Sequence, residues 1–371
     1  MIKQRAFNSI LLTGLLSFAG ISYPGFCQDN APNFYSTVQE HFSKWDKNQD
    51  GTLGPEEIVA FFQNPNCKGN AAAAIAVLQL IETGHMVKNE ALEGFTSNDV
   101  SKMQTEPGHK KYQSQFESFI KRIQNRPHVL YTHNVPQIND VVQGNANDCY
   151  FLSVVASLSH QRPNALMKMI EQNDDGSYSV HYFGEDPVRI ACITDAEASA
   201  YTTTDDGIWL PVLLKAYGKV QLKKKWDNAK DTPMHEDPLE AASRHGGNCK
   251  ISIRVFSGHA ADSRKPKEIE ADLRKQLVKA LNEHRIVVCG IPGHAMAVMG
   301  YDKDSDQVQI WNPWGTTNFK ELGLKMDHGF FALPISEFVE KCNNIMFELA
   351  EDAPPEQPTQ GNKRGGGNKR G

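Results

Sequence analysis

Gln143-Gly-Asn-Ala-Asn-Asp-Cys149-Tyr-Phe-Leu-Ser-Val-Val-Ala-Ser-Leu158 joins a polar, glycine-containing turn to an apolar run, with a cysteine at the junction. Apolar residues at Phe151, Leu152, Val154, Val155 and Leu158 recur at helical spacing, which predicts a buried helix opened by Cys149. At a helix N-terminus the dipole and the free N–H groups favour a thiolate, the reactive form of cysteine. Upstream, Gln143 carries an amide able to donate to an oxyanion. Taken alone, such a cysteine is equally well read as a packed core residue, because free cysteine is among the most buried types. The remainder of the chain has to decide between the two.

A cysteine nucleophile needs a base, and the base needs a group to orient it. Ile286 to Ile291 is a β-branched run that ends in Pro292-Gly293, after which His294-Ala-Met-Ala-Val-Met-Gly-Tyr301 alternates like the start of a strand. His294 therefore stands at the mouth of a strand. A second run, Val308-Gln-Ile-Trp-Asn312-Pro313-Trp314-Gly315, ends in asparagine, proline and tryptophan. An asparagine at the end of a neighbouring strand can hold an imidazole by its N–H, and an aromatic ring over that contact keeps water away from it. Alone, His294 also reads as a core histidine and Asn312 as a turn residue before proline.

Together these pieces resemble the calpain family of papain-like cysteine proteases. Gln143-Gly-x-x-x-Asp148-Cys149, Gly293-His294-Ala and Asn312-Pro-Trp314-Gly315 are similar to its three catalytic blocks. Trp209-Leu-Pro-Val-Leu-Leu-Lys-Ala-Tyr217 resembles the helix that packs the cysteine lobe, and Gly329-Phe-Phe-Ala-Leu-Pro-Ile-Ser-Glu-Phe338 the strand and helix that close the histidine lobe. The resemblance runs from about residue 130 to 348. It implies Cys149 as nucleophile, His294 as base and then acid, Asn312 as its orienting partner, Gln143 as oxyanion donor and Trp314 as shield. Tyr150 stands where the family has tryptophan, Ala146-Asn147 where it has Leu-Gly, and Trp311 where it has arginine. Asn147 and Tyr150 are therefore the expected sources of any unusual cleft shape. The reaction implied is hydrolysis of protein or peptide substrates. The alternatives are an inactive scaffold that binds partners in a calcium-dependent way and a transferase of transglutaminase type.

Ahead of this core, Asp46-Lys-Asn48-Gln-Asp50-Gly51-Thr52-Leu53-Gly54-Pro-Glu-Glu57 lies between two helical patterns. It matches a twelve-residue EF-hand loop, with oxygen side chains at positions 1, 3 and 5, glycine at 6 and glutamate at 12. Asp46, Asn48, Asp50, the Thr52 carbonyl and Glu57 are the expected calcium ligands. The alternative is an acidic surface loop. Thr83 to Glu90 lacks the oxygen pattern and reads as a metal-free partner hand or an unrelated helical hairpin.

Residues 1–27, with Lys3, Arg5 and an apolar run from Ile10 to Ile21, read as an export signal too short to make a comfortable membrane span. Lipid anchoring at Cys27 is the alternative. The chain of 371 residues has a net charge of −5, but residues 1–27 carry +2 and residues 361–371 carry +4, so the body carries −11. So acidic a body argues against nucleic acid as a partner and suits cation binding. No oligomeric state follows from the sequence. Neither C-x-x-C pairs nor zinc-ligand spacing occur, and pairing among Cys67, Cys192, Cys249, Cys289 and Cys342 is not readable. The fold expected is α+β: an all-α EF-hand module (29–108), a connecting helix (109–127), a helical cysteine lobe (128–256), a β-rich histidine lobe (257–350) and a disordered tail (351–371).

Overall fold

A computed structural model describes residues 32–350 apart from 87–93, 107, 140, 145, 203, 229–236, 244–245 and 316–322. The expected export signal, the tail from 351 and the second half of the Thr83 to Glu90 loop lie outside the described residues.

The first part is helical: α1 (Phe34–Trp45), the short strand β1 (Thr52–Leu53), α2 (Pro55–Phe62), α3 (Gly69–Glu82), β2 (Phe95–Thr96), α4 (Ser97–Met103) and α5 (His109–Asn125). Asn33 caps α1 by accepting from the Tyr35 and Ser36 amides, and Thr96 and Asp99 cap α4 reciprocally. Helix α3 is apolar around its whole girth, with Ala72 to Ile81 all buried, as expected of a helix surrounded by others. It packs on α1, α2 and α5, and also on the helix Asp195–Ala200 of the next part. Strands β1 and β2 pair antiparallel, Thr52 opposite Thr96 and Leu53 opposite Phe95.

The middle part comprises α6 (Cys149–Gln161), α7 (Pro163–Met167), β3 (Ile170–Gln172), β4 (Tyr178–Val180), β5 (Val188–Ile190), α8 (Asp195–Ala200), α9 (Trp209–Asn228), α10 (Pro238–Ser243) and α11 (Cys249–Ser257). The three short strands form an antiparallel sheet in the order β3-β4-β5. The expected helical segment thus contains a small sheet as well. Trp209 is fully buried at the start of α9, where its Nε1 donates to Asp206.

The last part holds β6 (Ala261–Arg264), a 3-10 turn at Pro266–Ile269, α12 (Glu270–Asn282), β7 (Val287–Ile291), β8 (His294–Asp302), β9 (Gln307–Trp311), β10 (Phe330–Pro334), α13 (Ile335–Lys341) and β11 (Asn344–Glu348). Its sheet runs β10-β9-β8-β7-β11-β6, antiparallel throughout. Leu273 and Leu277 of α12 and Phe338 of α13 pack with Val298 and Ile310 of the sheet in a separate apolar cluster. Helix α6, buried from Tyr150 to Ser159, lies against β7 and β8. This contact positions the site, because it sets the start of the cysteine's helix beside the start of the histidine's strand.

Candidate active site

Cys149 is the first residue of α6, and His294 the first of β8. The turn Pro292-Gly293 brings β8 back along β7, with Gly293 at φ +77°, a region that an L side chain avoids. Cys149, His294 and Trp314 face one cleft of about 710 Å³, within the roughly 300–1,000 Å³ of small-molecule and substrate sites. The backbone amide of Ala295, the residue after His294, lies beside the Cys149 thiol.

His294 Nε2 bonds to Asn312 Oδ1 at 2.8 Å. The backbone amide of Trp314 also donates to Asn312 Oδ1, at 3.0 Å, so that atom is the amide oxygen and His294 Nε2 carries the hydrogen. Asn312 is fully buried, and the Trp314 ring stacks on the imidazole with centroids 4.1 Å apart and planes 25° from parallel. With Nε2 committed to Asn312, Nδ1 is the ring nitrogen left for proton transfer. Two backbone contacts hold the cysteine turn in place: Gln143 N donates to Pro313 O at 2.8 Å, and Asn147 N to Ser243 O at 2.8 Å. The first ties the turn directly to the asparagine block.

Burial raises the Cys149 thiol above its ordinary value, and the Asp148 carboxylate behind it adds to the rise, while the Ala295 amide works the other way. Desolvation is the largest of these effects, so the thiol depends on a base to give up its proton. Gln143 lines the cleft with its Nε2 donating to Ala146 O at 2.6 Å, and its side-chain amide also acts on the Asp148 carboxylate. Asn147 and Tyr150 line the cleft too; the Tyr150 hydroxyl donates to Ala242 O at 2.8 Å.

Three features of the site go beyond what the sequence analysis identified. Asp148 turns inward: it is fully buried, accepts from Thr202 Oγ1 at 2.5 Å, and burial raises its carboxyl to about 6. Cys249 is a second thiol in the cleft, pushed up to about 12 by burial. Gly247 faces the Tyr150 ring so closely that a Cβ there would come within 2.2 Å of it, so a residue without a side chain is needed. Only the Gly246-Gly247 pair hinted at such an approach.

In the 46–57 loop, Asp46 Oδ2 accepts from Gly51 N at 3.0 Å, Asn48 Oδ1 from Asp50 N at 3.0 Å, and Asp50 Oδ1 from Thr52 N at 2.8 Å. Glu57 reaches back over the loop to accept from Lys47 N at 2.6 Å, Asn48 N at 3.2 Å and Gly54 N at 3.1 Å. Asp46 Oδ1 is buried with no hydrogen-bond partner among the described residues. An all-oxygen donor set with one buried carboxylate oxygen unmatched fits a hard cation. Among the described residues no three His, Cys, Asp or Glu side chains are gathered as metal ligands.

Comparison with known proteins agrees with the geometry. The family model for calpain family cysteine proteases matches residues 93–322. The chain belongs to that family. Human calpain-9 is 25% identical over an alignment of 278 positions that covers 58% of this chain and 37% of the relative. The calpain-family match takes in Cys149, His294, Asn312 and Trp314, so the four residues that the geometry assembles all lie within it. No helix of the described residues is long and apolar enough to cross a membrane.

Proposed function

We propose that this chain is an exported calcium-binding cysteine endopeptidase that cleaves peptide bonds through a thioester on Cys149. The observation that carries the proposal is the buried Asn312–His294 hydrogen bond under Trp314, at the cleft that Cys149 opens. His294 Nδ1 takes the thiol proton as Sγ attacks the scissile carbonyl carbon. The oxyanion that forms is met by the Cys149 backbone N–H and by the Gln143 side-chain amide, which turns to it from its resting bonds. Collapse breaks the C–N bond, with the imidazolium giving its proton to the departing amine. Water activated by His294 then cleaves the thioester and frees the acid. Throughout, Asn312 holds the ring so that Nδ1 faces the cleft, and Trp314 covers the Nε2 bond from water.

Calcium is the cation proposed for the 46–57 loop, held by Asp46, Asn48, Asp50, the Thr52 carbonyl and Glu57 in an N-terminal EF-hand. The pairing of β1 with β2 supports this reading, since it ties the loop to the segment that precedes α4, as a partner hand would be tied. Export rests on residues 1–27. Casein hydrolysis by the mature chain and by its Cys149→Ala variant tests the enzyme: activity confined to the wild type is expected, and equal turnover would sink the proposal. Calorimetry with calcium tests the loop. Heat of binding that Glu57→Gln weakens supports it, and no binding at millimolar calcium refutes it.

A further inference from the structure

Helix α5 ends against α8 in a manner unconnected with the catalytic cleft. Its last turn and C-cap present Arg122 and Arg126, which donate through Nη1 to the backbone carbonyls of Ser199 and Ala198. Such contacts satisfy the C-terminal carbonyls of α8. They use one nitrogen of each guanidinium. The Nε and Nη2 of Arg126 are shielded from solvent and have no hydrogen-bond partner among the described residues.

These two nitrogens form one edge of the guanidinium. Their N–H bonds run side by side, the fork that grips the two oxygens of a carboxylate or phosphate. A buried fork left unpaired is costly, since each hydrogen has lost its water. It belongs to a partly open cavity of about 270 Å³, lined by Arg122, Arg126, Lys68, His128, Thr194 and the carboxylate of Asp195 and made partly apolar by Ile123 and Ile193. The acidic neighbours do not fill it. Asp195 is held by Lys68 Nζ at 3.0 Å and acts on Arg126 only at a distance, and Asp205 is near enough to act on both arginines, yet neither acid accepts a described hydrogen bond from them. Burial lowers Arg126 to about 10, with Arg122 adding to the effect, so both groups still carry charge at neutral pH. Two like charges stand side by side here, and the nearby acids leave the Arg126 fork without a bonded oxygen.

We propose that this cavity is a binding site for a small oxyanion, a phosphate or carboxylate group, gripped by the Nε/Nη2 edge of Arg126 with Arg122 as the second cation. The ligand bridges the connecting helix and α8, joining the N-terminal helical part to the part that carries Cys149. Its volume admits a small free anion and not a folded segment of protein.

Titration calorimetry of the full chain at constant ionic strength, with sodium phosphate and sodium succinate in separate arms and sodium chloride as reference, tests the site. Saturable binding of phosphate or succinate beyond chloride is expected, and the arm that responds identifies the anion class. Arg126→Gln should weaken that binding about ten- to a hundredfold. Arg126→Lys, which keeps the charge and loses the fork, should fall between the two. If Arg126→Gln does not fold, Arg122→Gln reads the same site through its second cation. Arg274→Gln, an exposed arginine paired with Asp306 elsewhere, should leave affinity unchanged. Absence of wild-type binding beyond chloride, or equal binding by the wild type and the Arg126 and Arg122 variants, overturns the proposal.

Discussion

Replacing Asp148 by asparagine should change how stability depends on pH, by an amount set by the carboxyl's burial. Asp148 is fully buried behind the nucleophile, with Thr202 Oγ1 at 2.5 Å from Oδ2 and no hydrogen-bond partner on Oδ1 among the described residues. Burial raises its pKa from 3.8 to about 6. The folded protein therefore takes up this proton below about pH 6, whereas the unfolded chain takes it up only near pH 4. Below both values the carboxyl is neutral in both states and costs nothing. As pH rises the cost grows, and above pH 6 it is fully present. At about 1.4 kcal/mol per pK unit, that cost is roughly 3 kcal/mol. The asparagine of Asp148→Asn never ionises. Its amide can leave an unmatched N–H, a penalty that is the same at every pH. Urea unfolding at pH 4 and pH 7.5 isolates the difference: the unfolded carboxyl is already partly ionised at pH 4, so the variant's stability relative to wild type should rise by about 2.5 kcal/mol between the two. Asp237, also buried and raised to about 7, titrates in both proteins and cancels. The same variant should lower the pH midpoint of Cys149 alkylation, because the Asp148 charge helps hold the thiol proton. A stability difference that stays flat with pH would refute the buried-charge reasoning.

Asn312→Ala removes the acceptor from His294 Nε2, at 2.8 Å, and with it a bond to a ring that becomes cationic during the reaction. The loss of about 1.5–3 kcal/mol should appear as a roughly ten- to hundredfold fall in kcat on a fluorogenic peptide, with KM little changed. Lys215→Met breaks an ion pair with Glu197 whose side chains are 6% and 0% exposed. It should cost about 3–5 kcal/mol in urea unfolding, because a buried carboxylate is left alone. The Lys215→Met/Glu197→Gln double variant should recover most of that loss.

The catalytic residues were legible because each marks a boundary that local chemistry enforces. Cys149 stands where a polar turn becomes an apolar helix, His294 follows a Pro-Gly turn, and Asn312 precedes a proline that ends its strand. The helices that flank the 46–57 loop and the connecting helix α5 were legible from apolar periodicity. The β3-β4-β5 sheet was not: its strands have three residues each, too few for alternation to stand out. Nor was the insertion of β11 between β7 and β6, a pairing across distant sequence with no local signal. Asp148 was visible as a motif residue, but its inward turn toward Thr202 depends on a chain segment more than fifty positions away. The arginine pair at the end of α5 carries no local signal of burial. Only the packing of α8 over Arg122 and Arg126 turns those charges inward.

The central claim is that Cys149 is a nucleophile activated by His294. Covalent labelling by an epoxide or vinyl-sulfone inhibitor, mapped by peptide mass spectrometry with and without calcium, tests it most directly. The modification is expected on Cys149, with the other thiols unlabelled and the rate sharply reduced in His294→Ala. Calcium dependence of that rate would connect the 46–57 loop to the site. No label on Cys149 in a folded chain under either condition, or labelling at the same rate without His294, would contradict the account.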